Sequence, residues 1–129
     1  MKKPVAGLVM LLAATSGANA TSSMFCNTES DEAGINLTIG SGGGAVIVGA
    51  DFYVGDKLWS TSAPYDSHVA IAQGFIEGDR VLLDLSDRNF ETIIARLRLF
   101  TASQGEEQVS GGTLMVAGEG VFAVSCSGP

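Results

Sequence analysis

The chain is poor in the residues that catalysis, metal binding and nucleic-acid recognition depend on. Its 129 residues include one histidine, two cysteines, one tryptophan and three prolines, with seven lysines and arginines against 14 acids. A lone His68 leaves a Ser/His/Asp hydrolase with one candidate base, and no Gly-x-Ser-x-Gly elbow is present to supply a nucleophile. Zinc needs more histidine or cysteine than this, and the acidic stretches lack the spacing of a calcium loop. No metal or other cofactor is expected. The shortage of basic residues excludes a face for nucleic-acid phosphates or for an anionic membrane surface. Nor is there an apolar run of the roughly 20 residues that a membrane-spanning helix requires.

What is present begins with a basic start, Met1-Lys2-Lys3. An apolar stretch from Val5 to Ala14 follows, and then Gly17-Ala-Asn-Ala20. This order predicts a bacterial-type signal peptide over residues 1–20, cut after Ala20. One domain, 21–129, would then reach the periplasm or the medium. Cleavage removes both amino-terminal lysines and no acid, so the formal net charge moves from −7 to −9. So acidic a surface favours solubility and suits a cationic partner. In an oxidising compartment Cys26 and Cys126 are expected to pair. Their bridge would close nearly the whole mature chain.

The most regular stretch is Arg80–Phe100. Val81, Leu83 and Leu85 alternate with Leu82, Asp84 and Ser86, while Ala95, Leu97 and Leu99 alternate with Arg96, Arg98 and Phe100. Period two marks strands with one buried face, and Ser86-Asp-Arg-Asn89 between them is turn chemistry. Phe90, Ile93, Ile94 and Leu97 also fit a helical spacing, but the alternation through Leu99 and the β-branched Ile93-Ile94 favour a strand. Asp84, Arg96 and Arg98 then share the outward face as solvated ion pairs.

Further strands are expected at Gly34–Ile39, Ala45–Tyr53, Lys57–Ser60, Ser67–Ile76, Gly112–Ala117 and Val121–Cys126, with an entry strand or extended lead-in near Cys26. Gly40-Ser-Gly-Gly-Gly44 lacks a Gly-Lys-Ser/Thr ending and precedes a strand, so it reads as a hairpin turn rather than a phosphate loop. Gly49 marks a bulge or a close backbone approach, and Gln104–Gln108 reads as a polar loop. The sum is an all-β domain: a small antiparallel barrel or flattened sandwich of about eight short strands, closed by a disulfide between the two ends of the chain.

Function is less legible. Residues 51–68 hold both tyrosines, the tryptophan and the histidine. Tyr53, Trp59, Tyr65 and His68 are therefore the candidate binding surface, since aromatic groups near loops are what such surfaces use. No catalytic constellation emerges, so the expectation is an exported, non-catalytic binding protein, an inhibitor-like module for a basic protein. In outline, though without a shared motif, such a domain is similar to the small β-barrel lysozyme inhibitors of bacterial periplasms. The alternatives are a barrel that carries a small apolar ligand and, more remotely, a hydrolase with an unrecognised site.

Overall fold

The computed structural model describes residues 21–41 and 44–128. The expected signal peptide, residues 1–20, lies outside them. Nine strands form one antiparallel sheet: β1 (Ser22–Asn27), β2 (Ala33–Gly40), β3 (Val46–Val54), β4 (Lys57–Ser60), β5 (Ala70–Glu77), β6 (Arg80–Ser86), β7 (Ile93–Gln104), β8 (Glu107–Val116) and β9 (Gly120–Ser127). Their order across the sheet is β4-β3-β2-β1-β9-β8-β7-β6-β5. The chain thus makes two meanders, β1–β4 and β5–β9, which meet where β1 pairs with β9. The segment from Thr61 to Val69, with a 3-10 turn at Tyr65–Ser67, carries the chain from one outer edge of the sheet to the other.

The sheet curls into a half-barrel because its apolar residues fall on one face. Met24, Cys26, Ile35, Leu37, Ile47, Phe52, Leu83, Leu85, Leu97, Leu99, Leu114 and Val116 all belong to one buried cluster. Within the strands they occupy alternate positions, as the period-two pattern requires, except in β3, where an extra residue separates Ile47 from Ala50 and Phe52. Curvature has local causes. The register shifts between Thr38 and Ile39, where Gly49 and Ile47 oppose them and Val48 is the extra residue, so the bulge expected at Gly49 is present. At Gly112 a Cβ would lie 1.8 Å from the Arg98 carbonyl oxygen. Only glycine permits β7 and β8 to approach that closely.

Cys26 and Cys126 form the expected disulfide, across a register pair of β1 and β9. That bond joins the two meanders where their hydrogen-bonded overlap is shortest. The outer edges, β4 and β5, do not pair with each other over their length. A parallel bridge between Ser60 and His68 and the packing of Ile47 against Gly74 bring the two sides of the curl together.

Residues 93–104 form a strand, as the alternation indicates. The Cys26 segment is a full entry strand, which makes the count nine. Two features differ from the expectation. The expected loop at Gln104–Gln108 is only a two-residue turn, because β7 and β8 continue as a ribbon beyond their neighbours, pairing out to Gln104 and Glu107. Asp84 faces outward beside Arg96 and Arg98, yet it is 5 % exposed, so the expected solvated pair is covered instead. Arg98 Nη1 lies 2.9 Å from its Oδ1, Arg96 Nε lies 3.7 Å away, and Gln73 Nε2 donates to Oδ2 at 3.0 Å. These three side chains shield it from water. The Arg98 approach is Coulombic in reach but off the line of a hydrogen bond, so Oδ1 keeps unfilled accepting capacity.

Candidate acidic binding end

Alternating strand directions place the β1–β2, β3–β4, β6–β7 and β8–β9 connections at one end of the half-barrel. The β2–β3, β5–β6 and β7–β8 connections lie at the other. The first end carries Glu29, Asp31, Glu32, Asp56, Asp87, Glu91 and Glu119, half of the 14 acids of the chain, against Lys57 and Arg88. Its potential is therefore negative, and the electrostatic partner it suits is cationic.

These loops are held by bonds rather than left loose. Thr28 Oγ1 accepts from the backbone N–H groups of Glu32 and Ala33, which fixes the β1–β2 loop and turns Asp31 into a left-handed conformation at φ 61°. The Tyr53 hydroxyl donates to Asp31 Oδ1, and Asn27 Nδ2 donates to the same oxygen at 3.2 Å. Opposite Tyr53 in the register stands Gly34. The phenol ring lies directly over it, so that a Cβ on Gly34 would meet the Tyr53 hydroxyl at 2.6 Å. Glycine there is what lets the ring reach the loop. The bond pushes the Tyr53 phenol up to about 12, with burial adding to the rise, and holds the Asp31 carboxyl below its ordinary value. Across the same end, Lys57 Nζ meets Glu119 Oε2 at 2.7 Å. That exposed pair adds little stability but links the β3–β4 and β8–β9 turns.

The β6–β7 loop is the most distinctive. Asp87 donates its backbone N–H to the Thr92 carbonyl and accepts from the Phe90 N–H, while its Oδ1 accepts from the Glu91 and Thr92 N–H groups. Within that frame Phe90 has φ 59°, a region that a bulky side chain rarely adopts, and it is 64 % exposed. The loop therefore presents a benzyl group to solvent between Asp87, Arg88 and Glu91. Leu58, 66 % exposed, is a second apolar group at this end.

The four residues expected to form a surface do not all come together. Tyr53 is at the acidic end on the outer face. Trp59 opposes Phe52 in the register and stacks on it from the inner side, with ring centroids 4.8 Å apart and planes 10° off parallel. Trp59 is thus half-buried as part of the core's rim. His68 lies in the segment joining the two sheet edges, half-buried, with Nδ1 2.9 Å from the Ala63 carbonyl oxygen. Tyr65 opens the 3-10 turn of that segment, and its side chain lies outside the described residues. The sequence does not mark Phe90, because nothing in the residue itself signals a left-handed backbone. Asp87 three positions earlier is the one available hint, as a residue that folds loops around its own carboxylate.

Known proteins supply no shortcut. No family model, curated protein or solved structure matches this chain. Among the described residues no three histidine, cysteine or acidic side chains stand together in a metal-binding group, and no helix is long and apolar enough to cross a membrane.

Proposed function

We propose that the chain is an exported, non-catalytic binding domain that engages a basic protein through its acidic end, with the Phe90 side chain as the apolar anchor. The observation that carries this reading is the Phe90 loop. An exposed phenylalanine in a strained conformation serves no packing purpose, and strain of this kind persists where the surrounding structure enforces it, typically at binding sites. A rigid aromatic anchor ringed by charge is the usual make-up of an interface hot spot, and a pre-set loop loses little entropy on docking. The acids around it would speed encounter with a cationic surface and make binding salt-sensitive. Export is proposed from Met1–Ala20, and the periplasm or medium as its destination follows from that segment and the disulfide.

The test is capture from envelope extract by the immobilised protein and by two variants, Phe90→Gly and the pair Glu29→Gln with Glu32→Gln. A basic protein retained at low salt, released at high salt, and lost or weakened with both variants is the expected result. Equal retention by all three proteins would end the proposal.

A further inference from the structure

The opposite end of the half-barrel is open. A cavity of about 600 Å³ lies there, within the size range of small-molecule sites. It exists because the connections around it carry no bulk: the β2–β3 turn contributes Gly40, Ser41, Gly44 and Ala45, and the β5–β6 turn contributes Gly78. Among the described residues no large side chain folds down to cover the last apolar layer. Met24, Ile39, Ile76 and Val81, from β1, β2, β5 and β6, form the cavity's apolar floor.

One wall has a different origin. The β7–β8 ribbon runs on past the ends of β6 and β9, and its Thr101, Ser103 and Gln108 face the cavity. The Thr101 N–H donates to the Asp79 carbonyl at 2.8 Å, which ties the ribbon to the β5–β6 turn. The lining thus divides into hydrocarbon below and hydroxyl and amide groups above. Two charged residues complete it, Asp79 and Arg80. Arg80 is exposed and makes no ion pair among the described residues.

We infer that this cavity is a site for a single-chain amphiphile with a carboxylate head, its acyl tail on Met24, Ile39, Ile76 and Val81 and its head at Arg80 and the ribbon hydroxyls. An apolar floor favours a tail in proportion to the area it removes from water. A guanidinium recognises a carboxylate through paired, charge-assisted hydrogen bonds. Asp79 opposes the head group, being a like charge in the same turn. This site is independent of the acidic end: it lies at the other pole of the strands and uses none of the Phe90 loop.

The probe is dodecanoate, titrated into the exported protein below its micelle concentration and followed by calorimetry and native mass spectrometry. Saturable binding of one molecule per chain is expected. Ser103→Trp, which fills the mouth from an exposed position, should abolish it. Arg80→Gln should weaken it about tenfold and Asp79→Asn should tighten it. Thermal melts of each variant, and undiminished capture of the basic partner, keep loss of the site distinct from loss of the fold. Absence of saturable binding, or binding that survives Ser103→Trp in a folded protein, overturns the site. Dodecanol binding as tightly as dodecanoate, with no response to Arg80→Gln, overturns the carboxylate assignment.

Discussion

At the scale of single residues, Phe90 and Tyr53 show how the acidic end is preset. Phe90 holds φ 59° because Asp87 accepts from its N–H and from the N–H groups of Glu91 and Thr92 after it. Strain of this sort costs on the order of 1–3 kcal/mol. Phe90→Gly removes the strain and adds chain entropy to the unfolded state, two effects of similar size and opposite sign. The variant should therefore keep its stability to within about 1 kcal/mol while losing partner capture, and a denaturant titration beside the binding assay reads both. A large loss of stability would mean that the ring packs on something. For Tyr53 the prediction concerns pH. Its phenol is raised from 10.0 to about 12 by donating to Asp31, so the bond's contribution is whole below 10 and declines as pH climbs towards 12. Asp31 is lowered from 3.8, so the same contribution is whole above 3.8 and is lost as pH falls through the depressed value. With Tyr65→Phe leaving a single tyrosine, absorbance titration should show ionisation near 12, and adding Asp31→Asn should return it towards 10. Ionisation near 10 in the first variant would mean that the bond is absent in solution.

At the scale of elements, the β6–β7 hairpin shows what alternation reveals and what it hides. Val81, Leu83, Leu85, Leu97 and Leu99 point inward as the pattern demands. The outward row was legible as to face but not as to burial. Period two assigns Asp84 to the outside, yet three neighbouring side chains cover it, and side-chain cover depends on cross-strand register that one strand's pattern does not contain. Asp84→Ala leaves Arg98 facing a gap and Gln73 without its acceptor. A loss of about 1–3 kcal/mol is expected in chemical denaturation, below the figure for fully buried pairs because both arginines remain partly wet. A loss under about 0.5 kcal/mol would place the pair with ordinary surface ion pairs. The aromatic segment failed differently. Phe52 and Tyr53 are adjacent and so face opposite sides of β3, which already separates Tyr53 from anything stacked on Phe52; Trp59 is on the inner side because it opposes Phe52. The β7–β8 ribbon was hidden for a third reason. Outside the sheet it has no face to bury, so its residues carry no alternation to read.

For the molecule as a whole, stability turns on where the two meanders join. Within each meander the neighbouring strands pair over most of their length, but β1 and β9 share only three register pairs: Phe25 with Ser127, Cys26 with Cys126, and Asn27 with Ser125. Among the described residues every other route between the meanders is side-chain packing or the 61–69 connection. The disulfide lies within that short joint and closes a sequence separation of 100. In the chain-entropy account a loop of about 100 residues gives up to ~4.7 kcal/mol, a large share of the 5–15 kcal/mol by which domains are stable. Replacing Cys26 and Cys126 together by serine should lower the denaturant midpoint by the equivalent of several kcal/mol and steepen the slope, because the uncrosslinked denatured chain exposes more surface. In hydrogen exchange, protection should fall first at Met24–Asn27 and Val124–Ser127, because the joint opens before either meander does. Uniform loss of protection over all nine strands would mean that the inner cluster, rather than the bridge, makes the two meanders one cooperative unit. That outcome would also relocate the source of rigidity at the acidic end, since the β1–β2 loop hangs from β1 and is carried by the same joint.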